Sequence, residues 1–224
     1  MRLLADAETA SIPWRPWSFR ALRAAHSHDD YRPGPVPVRL VDDFGERKTG
    51  LQWRYRVRSG RDRQLRYAFK YWKRYNPEFW NFNEVGGDCG NFVNQTLLAR
   101  GWTMTDDWRT GGDFGSSTPT WFNGPQMDAW FGARLERIPV SREDRGRSRL
   151  RAGDVAFFDW EANGVPNHTM IVSDVRERAD GSTAVAFAGH NLDIRYRDLD
   201  DDVYREYPDA VVWCYAVRSS STPS

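Results

Sequence analysis

The chain carries two cysteines, and one of them, Cys89, stands in "GGDCGNFVNQ" directly after an acid and a pair of glycines. A thiol attacks as its thiolate, and a helix start favours that form through unsatisfied amides and the positive end of the helix dipole. The apolar spacing of Phe92, Val93, Thr96, Leu97 and Leu98 predicts a helix that begins at this point and ends at Gly101, with Asp88 at its N-cap and Cys89 in its first turn. The backbone N–H of Cys89 is then a natural half of an oxyanion hole. Gly86, Gly87 and Gly90 keep side chains out of the space where a substrate must approach the backbone.

Such a thiol needs a base, and the chain has four histidines. His168 opens the strand-like run "HTMIVSDV", so a sheet edge would carry its ring toward a helix terminus. The next strand ends in "AGHN", which makes His190 and Asn191 the candidates to bond the far nitrogen of His168 and fix its tautomer. Gly87, Asp88 and Asn191 are thereby expected to lie against the substrate. Cys214, inside "VVWCYA", reads as inert packing.

The elements that must position these groups follow from periodicity and breakers. "RQLRYAFKYWKRYNPEF" (63–79) has helical spacing of Leu65, Ala68, Trp72 and Tyr75, with Asn76-Pro77 as its stop. A short helix is predicted around "PQMDAWFGA", and strands at "DVAFFDW", "HTMIVSDVRE", "TAVAFAGHN" and "AVVWCYAV". Helices followed by an antiparallel sheet predict an α+β domain. The divisions expected are an N-terminal arm over 1–60, a domain over 61–218, and a disordered Ser/Thr/Pro tail over 219–224. "YRPGPVPVRL" (31–40) is too proline-rich for a helix or a central strand.

Composition narrows the function classes. Lys plus Arg total 32 against 31 Asp plus Glu in 224 residues, so no global basic field recruits nucleic acid. No apolar run approaches the ~20 residues of a membrane span, and the first thirty residues lack a signal-peptide core, so a soluble protein without an export signal is expected. No cofactor is called for, and neither metal pattern persuades. "HSHDD" (26–30) lacks a fourth ligand, and the acidic run Asp198, Asp200, Asp201, Asp202 lacks the glycine and distal glutamate of a calcium loop. Both read as solvated surface. Among the eleven tryptophans, Trp102, Trp108 and Trp121 lie nearest the motif, and Trp121 is the candidate stacking platform for a substrate.

The ordered blocks "YNPEFWNFNEVGGDCGNFVNQTLLARGW", "SSTPTWFNG", "AGDVAFFDW", "HTMIVSDV" and "HNLDIRYRDL" resemble the putative amidase domain family, which is similar to bacterial papain-like amidases of the CHAP and NlpC type. The resemblance covers roughly residues 60–200; Gly90 and Asn94 stand where the family has Thr and usually Ser. It implies a papain-like fold and a cysteine amidase or peptidase, with Cys89 the nucleophile, His168 the general base and His190 its orienter. Asn83, or else Asn81, would complete the oxyanion hole, and the substrate would be a peptide, a cell-wall peptide included, or another amide. An acyl transferase using the same pair, and a non-catalytic peptide- or glycan-binding module, are the alternatives.

Overall fold

The computed structural model describes residues 59–223 except residue 144, and, before them, the backbone of two short strands. The chain divides into two units, 1–58 and 59–224. In the first, β1 (Val38–Val41) and β2 (Arg47–Gly50) pair antiparallel, with Val38 opposite Gly50. The N-terminal histidines His26 and His28 lie outside the described residues.

The second unit opens on α1 (Gly60–Tyr71). Ser59 caps it reciprocally, its hydroxyl accepting from the Asp62 N–H while the Asp62 carboxylate accepts from the Ser59 N–H. The helix ends at Tyr71 rather than running on to Asn76. Tertiary contacts outweigh periodicity here: Tyr75 leaves the helical path to stack on His190, and the freed carbonyl of Tyr71 accepts from that same ring.

Helix α2 (Cys89–Arg100) runs between the expected bounds, and Gly101 closes it at φ 123°. It is buried on most sides, so its polar residues must find partners. Asn94 accepts from the Trp108 indole and donates to the Trp121 carbonyl, Gln95 accepts from the Tyr67 hydroxyl, and Thr96 accepts from Gln64. Two short helices follow, α3 (Pro119–Phe122) and α4 (Gly124–Gly132).

The sheet has six strands, β3 (Arg137–Val140), β4 (Val155–Asp159), β5 (His168–Glu177), β6 (Thr183–Gly189), β7 (Ile194–Asp198) and β8 (Val211–Tyr215). Their order is β3-β8-β4-β5-β6-β7 and every pairing is antiparallel, which makes the domain α+β. Two strands, β3 and β7, escape the sequence reading. Both lie at the sheet edges, where a proline (Pro139) and alternating arginines are tolerated because one side of the ladder is unpaired.

One face packs Phe158, Met170, Val172, Phe187, Val212 and Cys214 against Leu199 and Val203 of the π-turn Leu199–Val203, which leads into α5 (Tyr204–Glu206). The other packs Phe157 and Tyr215 against Phe131 of α4. Cys214 is the packing residue it was expected to be.

Two surface expectations are corrected. Residues 219–222 are not a disordered tail. The Ser219 carbonyl accepts from Arg100 Nε (2.8 Å) and the Trp102 indole, and the Thr222 hydroxyl bonds both the N–H and the carbonyl of Thr103. The Arg100 and Trp102 side chains and the Thr103 backbone, at and just past the end of α2, hold the segment down. The acidic run is likewise not a freely solvated turn: Asp200 receives a two-pronged bond from buried Arg147 (2.8 Å each) and a third contact from Arg178, while Asp198 accepts from the amides of Asp200 and Asp201.

Candidate active site

A single 3-10 turn, Phe82–Val85, leads into Gly86 and Gly87, whose φ angles of 118° and 119° few L side chains could adopt. That double left-handed step swings the chain into α2. Asp88 occupies the N-cap position but does not cap. Its carboxylate turns inward, where Oδ1 accepts from the Phe82 N–H (2.9 Å) and from Asn91 Nδ2 (2.8 Å), and Oδ2 lies 2.5 Å from Nδ1 of His190.

His190 is buried between the rings of Tyr75 and Phe92, with centroids 4.0 and 4.1 Å away. Its Nε2 sits 2.7 Å from the Tyr71 carbonyl, which can only accept, so Nε2 carries a proton. Nδ1 and Asp88 share a second one. With both nitrogens occupied, His190 has nothing to offer His168, and the orienting role expected of it is overturned: its partner is the acid beside the nucleophile.

The start of α2 is capped from elsewhere. Oδ1 of Asn191 accepts from the backbone N–H of Asp88 (2.8 Å) and of Cys89 (2.9 Å), and Asn191 Nδ2 donates to Asn83 Oδ1 (2.7 Å). Asn83 Nδ2 in turn donates to the Tyr75 hydroxyl (3.0 Å), which donates to Asp193 (3.2 Å). Asn83, Gly87, Asp88, Cys89 and Asn191 therefore lie together. Asn191, however, serves the helix start and not His168. Asn81 only turns its carboxamide back onto the Asn83 N–H.

Cys89 is partly exposed. Burial of its sulfur pushes the thiol up, the backbone N–H groups of Thr169 and Gly90 pull it back, and the Asp88 carboxylate pushes it up again. The net direction is upward, so the helix start does not by itself deliver a thiolate, contrary to expectation. The Thr169 N–H that lowers the thiol pKa belongs to the start of β5, one residue after His168.

The His168 ring lies on the face of β5 that carries Met170 and Val172, against Trp160 (5.7 Å) and Phe158 (5.9 Å). No hydrogen bond joins it to Cys89, and its Nε2 is buried without a partner. Burial, seconded by the charge of Arg197, lowers its pKa from 6.5 to about 4, so the imidazole is neutral at physiological pH. A buried ring nitrogen left unbonded costs on the order of 1–3 kcal/mol and is an available proton acceptor in one tautomer.

Trp121 is no platform. It is fully buried and its indole N–H donates to Asn91 Oδ1 (2.8 Å); Trp102 and Trp108 are buried as well. Tyr75, the Tyr71 carbonyl and the Thr169 amide escaped the sequence reading, because only the tertiary arrangement brings the first two to the His190 ring and the third near the thiol. Among the described residues, no group of three His, Cys, Asp or Glu side chains could hold a metal ion, and no helix is long and apolar enough to cross a membrane.

The family model of the putative amidase domain matches residues 58–215, from just before α1 to the end of β8. The chain belongs to the putative amidase domain family. It is also 29% identical over 116 residues to the uncharacterized protein YhbB of Bacillus subtilis (strain 168), a match that covers 48% of this chain and 35% of that relative. No solved structure matches.

Proposed function

We propose that this putative amidase domain is a cysteine amidase of papain-like design, cleaving an amide bond of a peptide or related substrate through an acyl group on Cys89. One observation carries the reading: of the two histidines among the described residues only His168 keeps a ring nitrogen without a partner, and the N–H of the next residue, Thr169, is near enough to the thiol in the first turn of α2 to lower its pKa. His190 is committed to an acid and a carbonyl; His168 is free to accept a proton.

The mechanism then starts from a neutral pair, since both shifts favour the uncharged forms. His168 turns toward the sulfur and takes its proton as Sγ attacks the carbonyl carbon. The N–H groups of Asp88 and Cys89 hold the oxygen as it gains charge. His168 returns the proton to the departing amine, and water, activated by the same ring, releases the acid from the thioester. Asp88 and His190 act behind the site, fixing the turn that presents both amides. Cell-wall peptides are one source of such amides.

The test compares hydrolysis of a panel of peptide amides by Cys89→Ala, His168→Ala and Cys214→Ala. The first two are expected to lose turnover and the third to keep it. Turnover surviving in Cys89→Ala contradicts the proposal.

A further inference from the structure

Both backbone amides that would hold the oxyanion are already bonded, and to a carboxamide. Asn191 Oδ1 lies 2.8 and 2.9 Å from the nitrogens of Asp88 and Cys89, and its Nδ2 lies 2.7 Å from Asn83 Oδ1. The group rests on bare backbone, for a Cβ built on Gly87 would come within 3.1 Å of Asn191 Oδ1 and 3.3 Å of Nδ2. The loop that delivers it takes left-handed turns at Asn191 (φ 71°) and Asp193 (φ 44°), conformations that Asn and Asp tolerate better than other side chains. It is tied back through Asn83, the Tyr75 hydroxyl and Asp193. Leu192 between them is exposed.

We propose that the Asn191 side chain is an internal occupant of the carbonyl subsite: a latch that a substrate must displace, and one that marks the pose of the carboxamide replacing it. The incoming oxygen takes the N–H groups of Asp88 and Cys89. The incoming amide nitrogen donates to Asn83 Oδ1, whose orientation the Tyr75 hydroxyl holds by accepting from Asn83 Nδ2. A carboxylate fits this pose poorly, because its second oxygen would face Asn83 Oδ1 with no proton between them. This rests on the amidase reading for its meaning, but its test does not need turnover.

The experiment measures the rate of Cys89 alkylation in the folded full chain by iodoacetamide and by iodoacetate, each normalised to N-acetylcysteine, with peptide mapping. Asn191→Gly removes the carboxamide and suits the positive φ; Tyr75→Phe keeps the ring on His190 and deletes only the hydroxyl. Displacing two backbone hydrogen bonds predicts about a tenfold faster iodoacetamide reaction in Asn191→Gly and a smaller rise in Tyr75→Phe, with iodoacetate gaining less in both. Unlabelled Cys214 reports that the fold is intact. Unchanged rates with a lowered melting temperature make Asn191 a helix cap only and overturn the latch. Equal gains for the two reagents overturn the carboxamide pose. If the amidase reading alone fails, Cys89→Ala keeps hydrolysing amides while these alkylation ratios stand.

Discussion

His168 is a neutral, buried imidazole, and that state ties stability to pH. Its pKa falls from 6.5 unfolded to about 4 folded, so between these values the unfolded chain binds a proton that the native one refuses. Stability therefore drops as pH falls through that window, levels off below about 4, and is fully present above 6.5. The expected loss is on the order of 3 kcal/mol. Urea titrations from pH 7 to 4 should show it, and His168→Phe should flatten that part of the profile; an unchanged slope would place the sensitivity elsewhere. Asp88→Ala is the second prediction at this scale. It leaves His190 buried beside an empty space and strips an acceptor from Phe82 N–H and Asn91, so a loss of roughly 3–5 kcal/mol is expected from denaturant midpoints. A loss below about 1 kcal/mol would mean that the pair is not structural.

At the scale of elements, what sequence could reveal depended on whether local or tertiary forces set each feature. Helix α2 and strands β4, β5, β6 and β8 were legible because periodicity and the Gly101 stop agree with the packing they enter. The end of α1 was not, since Tyr75 is drawn away to His190, although "SGRD" at its start is a readable capping signal. In the site, the position of Cys89 was legible and the fate of the Asp88 carboxylate was not. An acid at an N-cap can bond its own helix or a distant ring, and only the chain's return at Asn191 decides between them. Gly87→Ala tests this region. At φ 119° with its Cβ crowded by Asn191, alanine is expected to cost about 1–3 kcal/mol in thermal or denaturant unfolding; a neutral result would show that the turn relaxes freely.

For the whole molecule, the segment after β8 matters more than its composition suggests. Arg100 reaches the carbonyls of Val217 and Ser219, and Thr222 completes Thr103, so the chain's end closes over the far terminus of the helix that carries the thiol at its near one. Deleting 219–224 should lower stability by roughly 2–3 kcal/mol, read as a shift in urea midpoint at unchanged slope. No shift would return those residues to the status of a loose tail. The central claim concerns the other end of α2. Acid-quenched mixtures of protein and a hydrolysable peptide amide, analysed by mass spectrometry with peptide mapping, should show the acyl fragment on Cys89, in wild type and in Cys214→Ala alike. Hydrolysis with no adduct on Cys89 in wild type, and undiminished in Cys89→Ala, would contradict it.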